Sequence, residues 1–71
     1  MVIKIAQSKG GKYTILLTEE DNLFDVTEWE HGFRRGSSIN IPIRQEADDR
    51  FYDLIEQYKA GGITLYVIKW A

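Results

Sequence analysis

The residues able to act as acids, bases, nucleophiles or ligands are sparse in this chain. There is a single histidine, His31, and no cysteine, so neither a thiolate nucleophile nor a thiolate zinc site exists. Ser37 and Ser38 supply hydroxyls, yet no base and acid stand at a spacing that would place them beside either one. Glu28 and Glu30 are two residues apart and share one face of an extended segment, the disposition of paired catalytic carboxylates. The same disposition describes solvent-facing edge charges that discourage aggregation, and that plainer reading is favoured. Gly10 and Gly11 lack the spacing of a phosphate loop, and the acidic turn at 19–21 lacks that of a calcium loop. The sequence therefore predicts a non-catalytic protein with no metal and no cofactor.

Binding is better represented than catalysis. His31, Phe33, Arg34 and Arg35 set cations beside an aromatic ring between Gly32 and Gly36, and Lys9 and Lys12 add charge at another turn. Cations that track phosphates next to rings that stack on bases are what single-stranded nucleic acid requires. Lys12, Trp29, Phe33, Arg34 and Arg35 form the predicted nucleic-acid contact set. Tyr66, Ile68 and Trp70, in an apolar C-terminal segment, form a predicted interface for self-association, because exposed aromatics on a small domain commonly mark a dimer contact. Tyr66 and Trp70 are also stacking candidates. The alternative is an acidic interaction module or inhibitor that meets a partner protein through its sheet face or edge. Acidic residues at 19–21 and 46–49 would then face a basic partner, although helix-dipole stabilisation and a solvated turn account for them as well.

These side chains need elements to position them. Residues 38–43 alternate as a half-buried strand with Ile39, Ile41 and Ile43 on one side. Ala47, Phe51, Leu54, Ile55 and Tyr58 then fall on one helical face, so a helix is predicted over 45–60 with Gly61 and Gly62 as its stop. Upstream, strands are expected over 2–6, with Ile3 and Ile5 on one face and Lys4 on the other, over 13–18, and over 23–30, with Phe24 and Val26 as its core pair. Turns fall at 7–12 and 19–22, and a loop at 31–37. A last strand over 63–71 is apolar on both faces, which suits the middle of a sheet or a position under a partner. The expected order β-β-β-β-α-β is an α+β fold: a curved, largely antiparallel sheet of about five strands with one helix packed on one face. The other face is left open.

Seventy-one residues make one small domain, 1–71, and with 44% hydrophobic and 28% charged residues the composition is globular. The net charge of −2 opposes general attraction to nucleic acid or anionic membrane, leaving local patches to decide. No apolar run reaches the roughly 18 residues of a spanning helix, and the N-terminus does not read as a signal peptide; a soluble, cytoplasmic protein is expected. The succession of four strands, a basic loop before the fourth, an Ile-Asn-Ile-Pro strand end and an amphipathic helix resembles the Pur-repeat and Whirly-type single-stranded nucleic-acid-binding families. It is similar also to compact transcriptional coactivator dimers of the same plan. That topological resemblance, over residues 2–60, implies a homodimer whose sheets hold single-stranded DNA or RNA, with Lys12, Trp29, Phe33, Arg34 and Arg35 in contact.

Overall fold

A computed structural model describes residues 1–70. In chain order they form β1 (Val2–Ser8), β2 (Tyr13–Glu20), β3 (Leu23–Glu30), β4 (Phe33–Ile41), α1 (Arg44–Ala60) and β5 (Leu65–Lys69). The five strands make one fully antiparallel sheet in the order β4-β3-β2-β1-β5. This is the expected α+β plan. The helix leaves one edge strand, crosses a face of the sheet and delivers the chain to the opposite edge.

Three connections show how local chemistry builds the meander. Asp21–Asn22 and His31–Gly32 both have positive φ at their two central residues, the requirement of a two-residue hairpin turn whose twist matches its strands. At the first hairpin the Ser8 carbonyl accepts from the Gly11 amide at 2.9 Å, and the Ser8 hydroxyl accepts from the Tyr13 amide at 3.0 Å. The helix ends on Gly62, whose φ of +88° lets its amide reach the Lys59 carbonyl while the Ile63 amide reaches that of Tyr58, both at 2.9 Å. Ile63 then packs against the core.

The core lies between α1 and one sheet face. Phe51, Ile15, Leu17 and Val26 are its largest fully buried side chains, joined by Ile3, Ala6, Phe24, Ala47, Leu54 and Leu65. Each large one contributes about 1.5–3 kcal/mol of burial. The inward residues of β2 and β3, and the helix face, are those the alternation predicts.

Four expectations need correction. In β1 the pairing with β2 slips between Val2 and Lys4, so Lys4 turns under the helix beside Ile3 while Ile5 lies on the opposite face. The predicted loop 31–37 is instead the tight His31–Gly32 turn followed by strand, and the strand expected over 38–43 runs Phe33–Ile41. There Asn40 adopts a φ of +56° and donates its amide to Asp25 Oδ1 at 2.9 Å. That bulge breaks the isoleucine alternation, so Ile41 packs on the core while Ile39 is exposed; Ile43 is exposed because the strand has ended at Ile41 and Ile43 caps the helix. Finally β5 is shorter than 63–71 and sits at a sheet edge, not in its middle; Ala71, its predicted end, lies outside the described residues.

A candidate binding face on the uncovered side of the sheet

The described residues form no pocket, and no group of three or more His, Cys, Asp or Glu among them could hold a metal ion. The surface open to a ligand is thus the sheet face away from α1. Its composition follows from register. Tyr66 pairs with Gln7, Gln7 with Thr14, Thr14 with Trp29, and Trp29 with Arg34. Partners directly across an antiparallel ladder project to the same side, so one row of side chains crosses all five strands: Tyr66, Gln7, Thr14, Trp29, Arg34. A second row behind it holds Lys69, Ile5, Leu16, Thr27 and Ser37, so a further exposed cation lies on this face.

The row is ordered by its own hydrogen bonds. Trp29 Nε1 donates to Thr27 Oγ1 at 2.9 Å, which leans the indole back along its own strand and buries Thr27 beneath it. Gln7 Nε2 donates to Thr14 Oγ1 at 3.1 Å, bridging β1 and β2 midway between the two aromatic rings. Arg34 is exposed and has no carboxylate partner among the described residues. The strand directions bring the turns 9–12 and 31–32 to the same end of the sheet as this row, and the His31 amide donates to the Lys12 carbonyl at 2.8 Å.

Charge is segregated along the strand axis. Lys9, Lys12 and Arg34 cluster at the Trp29 end, whereas Glu20, Asp21 and Asp25 lie toward the other end, around the Asp21–Asn22 turn. Most of the remaining acids sit on α1 or on strand positions that face it. The net charge of −2 therefore conceals a locally basic stretch, and field at a surface follows the local arrangement.

The predicted contact set is divided by the structure. Trp29 and Arg34 share the uncovered face, on neighbouring strands. Lys12 is exposed at the same end of the sheet, but its Nζ lies 5.1 Å from the centre of the Tyr13 ring, which packs edge-on against Tyr58 on the helix side. Phe33 is 78% exposed, but it pairs with Glu30 and so projects toward the helix side. Arg35 occupies a bulge and binds Glu30 Oε1 at 2.6 Å, also on that side. The two arginines that sequence placed on one loop belong to a strand and point opposite ways. Of the predicted association residues, Tyr66 joins the row, and Ile68 and Trp70 are 57% and 69% exposed.

The catalytic candidates are dispersed. His31 is exposed in its turn. Ser37 lies on the uncovered face, whereas the Ser38 hydroxyl accepts from Arg50 Nε at 3.3 Å on the other. Glu28 and Glu30 are interior-strand residues, not edge charges; Glu28 accepts from the Tyr58 hydroxyl at 3.0 Å and Glu30 pairs with Arg35. Sequence reasoning missed Gln7 and Thr14. The signal was present, because a turn over 9–12 sets Ser8 opposite Tyr13 and hence Gln7 opposite Thr14. Comparison with protein families, with curated proteins and with solved structures finds no match to this chain.

Proposed function

We propose that this protein is a non-catalytic module that binds single-stranded nucleic acid on the uncovered sheet face, at the end bearing Lys9, Lys12 and Arg34. The observation that carries this reading is the cross-strand row from Tyr66 to Arg34: two aromatic rings, two hydrogen-bonding side chains and an exposed cation on one plane. Stacking on such rings is tolerant of sequence and contributes about 1–3 kcal/mol per base. The cations add a salt-dependent attraction to phosphate. The succession of four strands and an amphipathic helix resembles the Pur-repeat and Whirly-type plan, which favours the same ligand, although β5 is an addition to that plan.

The test is a titration of labelled single-stranded DNA and RNA, followed by anisotropy and tryptophan fluorescence at low and moderate salt. Binding with quenching of Trp29 is expected, with log K falling against log salt at a slope of about −2 for three phosphate contacts. Absence of binding at low salt rejects the proposal.

A second reading, association with a partner protein or with a second copy of the chain, is favoured by β5. This edge strand exposes Tyr66 and Ile68, with exposed Trp70 just beyond its end, and unpaired strand edges recruit further strands. Pairing of β5 with its counterpart would join two sheets into a homodimer with both binding faces on one surface. Sedimentation across a range of concentrations decides it: a monomer throughout removes the dimer.

A further inference from the structure

Resting on the nucleic-acid reading, we propose that the strand crosses the sheet at right angles to the β-strands, confined to the basic end, and that a single domain is filled by about four nucleotides. Two observations set the path. Trp29 and Tyr66 stand on β3 and β5, three interstrand steps apart, which at about 4.8 Å per step is about 14 Å. Consecutive nucleotides fully stacked in one strand rise by about 3.4 Å, which sets the two rings about four residues apart; splayed to about 4.8 Å per nucleotide, one per interstrand step, the first and last bases of a tetramer reach them. Gln7 and Thr14 lie between them and offer amide and hydroxyl groups to the intervening bases.

Charge excludes the other direction. A strand laid along β2 or β3 would leave Lys12 and Arg34 and run toward Glu20, Asp21 and Asp25, where carboxylates repel phosphate. Laid across the strands, it stays at the end of the sheet that bears Arg34 and the 9–12 turn, with Lys69 in the row behind. The site therefore recognises a short stretch of single strand mainly by stacking and backbone charge.

The experiment uses fluorescein-labelled thymidylate dimer, tetramer, octamer and hexadecamer at low salt. Affinity should rise by about tenfold or more from dimer to tetramer, as the second ring is engaged. From tetramer to octamer it should rise only by the number of added binding registers. Tyr66→Ala should weaken the tetramer and leave the dimer unchanged, because a dimer cannot reach both rings. Glu20→Lys should leave tetramer binding unchanged. The path is overturned if affinity climbs as steeply from tetramer to octamer, if Tyr66→Ala weakens dimer and tetramer alike, or if Glu20→Lys tightens the tetramer several-fold. Failure of every oligonucleotide to bind overturns instead the reading on which the path rests.

Discussion

The two faces of the sheet are built from the same strands, residue by alternate residue, and they are unlike in every physical respect. Under α1 the strands contribute Ile3, Ala6, Ile15, Leu17 and Val26, none more than 3% exposed. Polar groups there are fully engaged: Lys4 Nζ lies 3.0 Å from Asp48 Oδ1 and 3.3 Å from Tyr52 Oη, and Glu28 holds Tyr58. On the reverse, Ile5, Leu16, Thr14 and Trp29 are only half-buried, and Arg34 is exposed with no carboxylate partner among the described residues. One face supplies stability and the other leaves its chemistry available. The difference teaches where substitutions should act, since a residue's side of the sheet separates effects on folding from effects on binding.

The largest effect belongs to the covered face. Phe51→Ala removes a ring with no exposed surface, from a core too thin to collapse around the gap. A loss of about 3–5 kcal/mol is expected, enough to unfold much of a 71-residue domain. Urea or thermal denaturation followed by far-UV circular dichroism measures it. If Phe51→Ala melts like the parent, the core has been placed on the wrong side of the sheet.

The uncovered face should show the opposite profile. Trp29→Ala and Arg34→Glu are each expected to weaken oligonucleotide binding by about tenfold or more, while Arg34→Glu shifts stability by no more than about 0.5 kcal/mol. Arg35→Glu is the control that sharpens the contrast. Its guanidinium is turned to the helix side and paired with Glu30, so reversing it should disturb binding less than Arg34→Glu and stability more. Equal effects of the two arginines on binding would mean that the face does not discriminate between them.

Lys4→Met tests a polar member of the covered face. Burial alone would pull the Lys4 ammonium below its ordinary pKa, but its bonds to Asp48 and Tyr52 together outweigh that and hold it above. Methionine keeps the apolar stem and leaves Asp48 with Arg44 Nε at 3.5 Å. The expected cost is therefore about 1–2 kcal/mol, less than for a buried charge left with no partner, and roughly a 4–16 °C fall in Tm. Oligonucleotide affinity should not change.

How much of this contrast sequence could reveal depends on how local its cause is. The helix, and the inward residues of β2 and β3, follow from periodicity, because their alternation is unbroken over eight residues in each strand. Lys4 was misplaced because a bulge in β1 reverses the side to which the following residues point, and a slip in pairing leaves no mark on hydrophobic alternation. Ile39 was misplaced for the same reason, here through the left-handed Asn40, and Ile43 because the strand stops at Ile41 and Ile43 caps the helix. The pair Arg34 and Arg35 was read as one basic loop because two flanking glycines signal a turn. In fact Gly32 completes the turn and Gly36 sits inside β4, where its missing side chain leaves room for Glu28. The strand neighbours of Trp29 depended on register, which is set by turn lengths more than by composition.

Gly36 also provides the finest test, a small change on the covered face with a readout of its own. Its φ is not in the left-handed region, so alanine is sterically allowed by the backbone, but a Cβ there would stand 2.7 Å from Glu28 Oε2. The Glu28 carboxylate must shift, and in shifting it loosens its bond to the Tyr58 hydroxyl. Burial first, and that bond second, push the Tyr58 phenol up from 10.0 to about 12. Between those values the unfolded chain has lost the Tyr58 proton while the folded one keeps it. Stability from this group is therefore complete below pH 10 and drains away as pH rises through the folded value. In Gly36→Ala the lost hydrogen bond, about 1 kcal/mol, is opposed by about 0.4–1 kcal/mol from a less flexible unfolded chain, so Tm near neutrality should barely move. The tyrosinate absorbance of Tyr58 should nonetheless appear at lower pH than in the parent, and alkaline unfolding should lose part of its dependence on this group. A Tyr58 titration that Gly36→Ala leaves in place would show that burial under the helix, and not Glu28, sets the proton affinity on that face.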